Sequence, residues 1–475
     1  MPDTLARRRA AASALGLAAL AGCASAPPAT PAVAAPCAAP SALAPAPVIP
    51  QLPSPAAPTT PAPAPAASTV EPASTASTPV APAAPDTTAT TLAGFHAWVS
   101  AFAREALAAG IRPQTVAATL GQAQWQPRVV ELDRAQPEFT RPPWAYLDSA
   151  VSPQRIAQGR EQRRQYADAL DAAAQRYGVP ASVVTAIWGM ESNYGRNFGS
   201  FRTVDALATL AYDGRRSAWA QRELLAALRI VDQGDIAADA LIGSWAGAMG
   251  HTQFLPSVFL AHAVDADGDG RRDIWGSVPD VVASTANFLS HSGWKSGEPW
   301  GAEVLLPPGF DYARAELSVR QASSDWAAEG VRGVDGAELP PLQDASVLTP
   351  AGARGPAILV GPNFRALLRY NNSVNYALAV GLLARQIDGG AGLASAWPRE
   401  LQPLSRSEVR ALQEALNARG LDTGTPDGVA GPATRAGVRR YRPATRAGVR
   451  RYQQSVGLPA DGYATRELLQ RLLTP

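Results

Sequence analysis

The spacing of apolar residues divides the chain into three stretches. From residue 24 to about residue 90 large apolar side chains are almost absent; from Phe95 they recur every three or four positions; from Ser405 a second, shorter helical pattern begins. Side chains three and four apart share one face of a helix. Phe95, Trp98 and Phe102 therefore predict a first helix ending near Gly110, and residues 115–120, 153–177, 219–233, 281–289 and 376–386 read as further helices, the last closing at Gly389. Between about Trp300 and Val360 short apolar runs at 304–306 and 358–360 alternate with Gly and Pro, as in a small β-containing insertion. The fold class this implies is mainly α.

One helix breaks its own pattern. Pro180 is well placed as its first residue, and Val183, Val184, Ile187 and Trp188 form an apolar stripe. Glu191 lies three, four and seven residues after Trp188, Ile187 and Val184, so a carboxylate falls on that stripe just before Gly195 ends the helix. Desolvation disfavours the charged form and raises the pKa, which lets a carboxylic acid keep its proton near neutral pH and act as a general acid. Taken alone, the same residue reads equally as a solvated or ion-paired Glu at a frayed helix end.

Composition changes the picture at the amino terminus. The 475 residues have room for several domains, but the Pro-, Ala- and Thr-rich first ninety cannot form a core. Arg7-Arg8-Arg9 precedes an apolar run over 10–21, too short to span a bilayer, which ends in Leu20-Ala21-Gly22-Cys23. That order resembles a lipoprotein signal, so residues 1–22 are expected to be cleaved and Cys23 lipidated. No Asp follows Cys23, and the resemblance then implies the periplasmic face of the outer membrane. Residues 23–92 read as a disordered tether with a reach on the order of 100 Å. A net charge of +2 argues against nucleic acid as a partner, and two cysteines exclude a disulfide framework.

Several local signals converge in the central region, 93–395. Gln136-Pro-Glu-Phe139, Trp144-Ala-Tyr146, Glu191-Ser-Asn-Tyr-Gly195, Arg215-Arg216, the Gly-rich stretch from Ser244 to Pro256, and Tyr370-Asn-Asn-Ser373 followed by Tyr376 occur in this order. Together they closely resemble the lytic murein transglycosylase B family, which implies a lysozyme-like helical fold and peptidoglycan glycan strands as substrate. By that resemblance Glu191 is the sole catalytic acid/base and no cofactor takes part in catalysis. Tyr146, Ser244, Gln253, Tyr370 and Asn371 line the glycan groove, Arg215 and Arg216 form its basic wall, and Tyr376 supports it. The residue types suit the chemistry: a protonated Glu gives its proton to the leaving glycosidic oxygen while an oxocarbenium-like state develops. The substrate's N-acetyl group then stabilises C1, and the muramoyl C6 hydroxyl closes a 1,6-anhydro ring without water. Asp205, Asp213 and Asp232 are the carboxylates nearby in sequence that a true hydrolase would recruit as a second acid, and His251 and His262 read as structural.

Asp265, Asp267, Asp269, Gly270, Arg271 and Asp273 follow the ligand spacing of an EF-hand loop, with Arg271 contributing its carbonyl. Gly276 stands where that loop needs a bidentate Glu, and Asp280 is the expected substitute. Oxygen donors at this density suit Ca²⁺, in a structural role.

Beyond Ser405, Val409, Leu412, Leu416 and Leu421 predict a helix, then Pro426-Asp-Gly and Asp461-Gly mark turns before the last helix. Residues 404–475 resemble a three-helix peptidoglycan-binding domain. From Ser405 to Pro475 twelve arginines face six acidic residues, a local positive excess. Pro432-Ala-Thr-Arg-Ala-Gly-Val-Arg-Arg-Tyr441 recurs unchanged eleven residues later as Pro443 to Tyr452. Eleven residues nearly complete three helical turns, so a copy keeps its apolar face in phase. A break at Pro443 follows, with one copy packed and the other displaced. The whole reads as an outer-membrane lipoprotein enzyme of wall turnover, with cell-wall synthesis or division machinery as a further partner class. Two other readings stay open: a muramidase with a second carboxylate, and a non-catalytic wall-binding scaffold.

Overall fold

The computed structural model describes residues 91–135, 141–428 and 442–474. The signal sequence, Cys23, the tether, Gln136 to Phe139 and the first copy of the repeat lie outside them. No helix among the described residues is long and apolar enough to cross a membrane.

In chain order the helices are α1 (Leu92–Ala108), α2 (Pro113–Ala118), α3 (Pro127–Arg134), α4 (Pro143–Ala150), α5 (Pro153–Gln165), α6 (Ala167–Tyr177), α7 (Ala181–Ser192), α8 (Thr203–Asp213), α9 (Ser217–Gln233), α10 (Pro256–His262) and α11 (Val278–His291). Then follow α12 (Ser323–Ala328), α13 (Pro362–Tyr370), α14 (Val374–Ile387), α15 (Arg406–Ala418), α16 (Arg442–Ser455) and α17 (Arg466–Leu473). The expected helix over 153–177 divides at Tyr166 into α5 and α6.

Helix α7 is central. Residues 181–189 are all buried, so the helix is enclosed on every side. Val183, Val184, Ala186 and Ile187 join one hydrophobic core with residues of α6, α11, α13 and α14; Trp188 joins a second with residues of α1, α8, α9 and α10. The two polar residues in this stretch, Ser182 and Thr185, are buried as well, and the Thr185 hydroxyl donates to the Ala181 carbonyl at 2.7 Å. Backbone acceptance of that proton removes the cost of burying the hydroxyl. Pro180 is the N-cap and not the first helical residue.

Strands β1 (Phe201–Arg202) and β2 (Ile242–Gly243) pair antiparallel beside the groove. The predicted β-containing insertion is present as β3 (Gly301–Leu305), β4 (Arg332–Gly333), β5 (Ser346–Leu348) and β6 (Ala357–Val360), an antiparallel sheet ordered β4-β3-β6-β5. Val304, Trp326, Val347 and Leu359 give it a core of its own.

Helices α15, α16 and α17 close a separate core on Val409, Leu412, Leu416, Val449, Tyr452, Leu468 and Leu472. The packed copy of the repeat is therefore the second. Its helix begins at Arg442, so Pro443 falls in the first turn, where a missing N–H costs nothing. Two buried glutamines clamp equivalent turns: Gln413 donates to Asp427 Oδ1 and accepts from Gly428 N–H, each at 2.9 Å. Gln453 does the same with Asp461 Oδ1 at 2.7 Å and Gly462 N–H at 2.8 Å.

Because α16 holds the second copy, and Gln413, Gln453 and the turns they clamp all lie outside residues 432–442, deleting residues 432–442 is expected to leave the domain folded. Its melting temperature should move by no more than a few degrees, since loop length enters stability only logarithmically. Val449→Asp, at a fully buried position, should cost about 3 kcal/mol or more in the same thermal-unfolding measurement.

Candidate active site

Glu191 sits half-buried in the last turn of α7. The chain then reverses through three consecutive left-handed residues, Asn193 (φ 50°), Tyr194 (φ 60°) and Gly195 (φ 80°). Packing holds this turn. The Tyr194 ring meets Trp188 edge-on at 5.8 Å, and its hydroxyl donates to the Arg155 carbonyl at 2.8 Å. A Cβ at Gly195 would come within 2.3 Å of His251, so close contact and positive φ both require glycine there. His251 in turn stacks on Trp188 with ring centroids 6.0 Å apart.

Around Glu191 stand Tyr146 from α4, Tyr370 from the end of α13 and Tyr376 from the first turn of α14. Tyr376 donates to Glu191 Oε1 at 2.6 Å. Tyr370 donates to the Thr252 carbonyl at 2.6 Å, with its ring edge-on to Phe288. Burial first, and then the charge of Glu191, raises the pKa of all three. Their hydroxyls stay protonated throughout the neutral range and act as donors.

The remaining groove candidates spend atoms on holding their own loop. Ser244 Oγ accepts from Ala248 N–H at 3.1 Å. Gln253, at φ 51°, donates its amide to the Phe198 and Gly250 carbonyls at 2.9 and 3.0 Å, which leaves Oε1 as its acceptor. Asn371 is half-buried at the end of α13, its carbonyl accepting from Ser373 N–H at 2.7 Å. Arg215 and Arg216 both pair with the buried carboxylate of Asp133, at 2.5 and 2.7 Å, so the basic wall carries less net charge than its sequence suggests. Arg216 also lies over Trp219, 4.6 Å from the ring centre. Asp133, Arg155 and Tyr194 are the positioning residues that sequence spacing did not single out. No periodicity marks them, because their partners are 39 to 82 residues away.

Asp205, Asp213 and Asp232 are each held outside the Glu191–tyrosine cluster. Asp205 accepts from Gln124 N–H at 3.2 Å, Asp213 pairs with Arg134 at 2.5 Å, and Asp232 pairs with Arg112 at 3.0 Å. His262 packs edge-on to Phe288.

In the acidic loop, Asp265, Asp267 and Asp280 bring carboxylate oxygens within 4.8 Å of one another. Asp280 is fully buried and accepts from the amides of Ala266 and Asp273, both at 2.7 Å. Asp269 does not join them: its carboxylate pairs with the Arg271 guanidinium at 2.9 Å, which holds its pKa below the usual range. Asp273 caps the amides of Trp275 and Gly276 instead. A Cβ at Gly276 would meet Asp273 Oδ2 at 2.8 Å. Three converging hard oxygen donors fit a Ca²⁺ ion with a smaller ligand set than the spacing implied.

A helical domain with one carboxylate at a buried helix end, ringed by tyrosines, defines the lysozyme-like class of glycan-cleaving folds. Residues 94–385 match the transglycosylase SLT domain, and the chain belongs to that family. A putative peptidoglycan binding domain matches residues 405–442 and again 439–472, one copy of the repeat in each match. The chain is 36% identical over 250 residues to membrane-bound lytic murein transglycosylase B of Escherichia coli K12, which spans 51% of this chain and 66% of that protein. Among solved structures it resembles SltB3 of Pseudomonas aeruginosa in complex with NAG-anhNAM-pentapeptide, with a TM-score of 0.75 and 52% identity over 80% of this chain and 99% of that one. It also resembles the Escherichia coli lytic transglycosylase Slt35 in complex with calcium, with a TM-score of 0.53 and 31% identity over 61% and 92% of the two chains. The class is thus a peptidoglycan lytic transglycosylase with an accessory wall-binding domain.

Tyr376→Phe removes the hydrogen bond to Glu191 and is expected to lower kcat on the order of tenfold or more with little change in KM, measured by steady-state turnover of muropeptides. Burial holds the pKa of His251 below its ordinary value, against the charge of Asp273. The unfolded chain therefore takes up a proton that the folded ring refuses. Stability is lost as pH falls through about 6.5 and levels off below the lower folded value. Melting temperatures between about pH 7.5 and 5 should fall more for the wild type than for His251→Phe.

Proposed function

We propose that the protein cleaves the MurNAc–GlcNAc β-1,4 bond of peptidoglycan without water, leaving 1,6-anhydromuramoyl ends. The observation that carries this reading is the carboxylate of Glu191 among protonated tyrosines, while, among the described residues, Asp205, Asp213 and Asp232 are each engaged elsewhere. Protonated Glu191 gives its proton to the glycosidic oxygen as that bond breaks. The N-acetyl oxygen of the muramoyl residue stabilises C1, and Glu191, now a carboxylate, takes the proton of the C6 hydroxyl as its oxygen bonds to C1. Leaving-group protonation and ring closure balance the proton on one residue, so no second acid is needed. Tyr376 orients the carboxyl group, and Tyr146, Tyr370, Asn371, Ser244 and Gln253 bound the groove in which the sugars bind. The anhydro sugar bound to SltB3 is the product type this chemistry forms. Arg215 and Arg216, both paired with Asp133, form one wall of the groove.

Asp265, Asp267 and Asp280 hold Ca²⁺ as a structural ion, and the calcium complex of Slt35 supports the choice of metal. Residues 1–22 serve as the signal, and Cys23 anchors the enzyme by lipid to the periplasmic face of the outer membrane. Residues 23–92 are the tether across to the wall, where synthesis or division machinery is a natural partner. The membrane-bound relative supports that placement.

Mass analysis of purified sacculi digested by the protein should give products lighter by one water than hydrolytic products. Glu191→Gln should lose turnover by about a thousandfold or more. Reducing ends would identify a hydrolase, and binding without cleavage would identify a scaffold. Ca²⁺ at a hundred times its Kd should stabilise the fold by about 2.7 kcal/mol, seen as a higher melting temperature that a chelator reverses, and Asp267→Asn combined with Asp280→Asn should abolish that response.

A further inference from the structure

The carboxyl-terminal domain does not end at its own core. Arg446 and Arg450 of α16 both reach Glu316 of the insertion, at 3.2 and 3.4 Å, with the arginine side chains 12% and 16% exposed. Of the two clamped Asp-Gly turns, the second uses its remaining carboxylate oxygen across the boundary: Asp461 Oδ2 accepts from Ala353 N–H at 2.8 Å. The partner turn is shaped for it. Gly352 has φ +69°, and a Cβ there would lie 2.4 Å from Asp461 Oδ2 and 2.7 Å from Tyr463 Cβ. Tyr463 then packs into a small cluster with Trp144, Ala351 and Leu401.

Trp144 belongs to α4, two residues before Tyr146. Helix α4 has only eight residues, too few to be stable by its own hydrogen bonds, so packing must hold it. The segment leading into the carboxyl-terminal domain supplies part of that packing. Trp397 lies 6.3 Å from Trp144, and Arg399 pairs with Asp148 of α4 at 2.6 Å.

We propose that the docking surface formed by Arg446, Arg450, Asp461 and Tyr463 against Glu316 and the turn at Gly352 makes the carboxyl-terminal domain a brace of the catalytic groove, fixing α4 and hence Tyr146 against Glu191. The proposal rests on the reading of Tyr146 as a groove residue, and Tyr146 acts in it as a positioned, not a positioning, group. A domain that only tethers the enzyme to the wall would leave α4 unchanged when undocked.

The test uses the full chain carrying Glu316→Arg, Gly352→Val, or Glu316→Arg with Arg446→Glu and Arg450→Glu. Three readouts are protease cleavage between residues 388 and 404, hydrogen exchange over 143–150, and turnover of a soluble muropeptide dimer too short to need wall tethering. Both single-site variants are expected to expose the connecting segment, to speed exchange over α4 about tenfold, and to lower kcat on the dimer on the order of fivefold. The charge-swapped triple variant should restore all three. An exposed connecting segment with unchanged exchange over α4 would overturn the brace, and so would a protected one in both Glu316→Arg and Gly352→Val. Absence of dimer turnover in the wild type would instead count against the proposed reaction, because exchange over α4 reads the brace independently of activity.

Discussion

Everything in the active site depends on enclosing α7. A helix buried on all sides cannot tilt or fray without opening two hydrophobic cores, and Glu191 stands where it leaves that enclosure. The reversal that follows runs through two non-glycine residues in left-handed conformation, each costing about 1–3 kcal/mol in isolation. Burial of the Tyr194 ring and its hydrogen bond to Arg155 offset that cost. The strain thus sits within one turn of the Glu191 carboxylate and keeps the chain from continuing the helix.

The polar residues of the groove divide their atoms between structure and substrate. Tyr376 orients Glu191, Ser244 and Gln253 stiffen the Gly-rich loop, and Asp133 gathers two arginines. Preorganisation of this kind is what the proposed one-carboxylate reaction would require, since a single group would first donate and then accept a proton with little movement. The acidic loop serves the same end at longer range: Asp280 ties three of its amides to the start of α11, which packs on α6 and α7.

The carboxyl-terminal domain repeats the theme of shared duty. Its two Gln-clamped turns are alike internally, and the second meets the catalytic part of the chain through Asp461. The second copy forms α16, whose start at Arg442 leaves Pro443 in the one turn that tolerates it, while both clamping glutamines lie outside the duplicated segment.

Helical periodicity alone located most of the long helices, the β-containing insertion and the carboxylate on an apolar stripe, because those depend on neighbours three or four residues away. The family motifs then marked the groove residues around Glu191. What spacing missed was decided by contacts far apart in sequence. Total burial of α7 replaced the expected stripe because two cores meet on it, and Pro180 became a cap because the helix starts one residue later. Asp269 left the acidic cluster for Arg271, whereas Asp280 joined it from the next helix, as the sequence predicts. Asp133, Arg155 and Tyr194 carry no local signature at all. Local order is written in the chain's periodicity, but which polar atoms remain for substrate is settled only once distant segments have claimed the others.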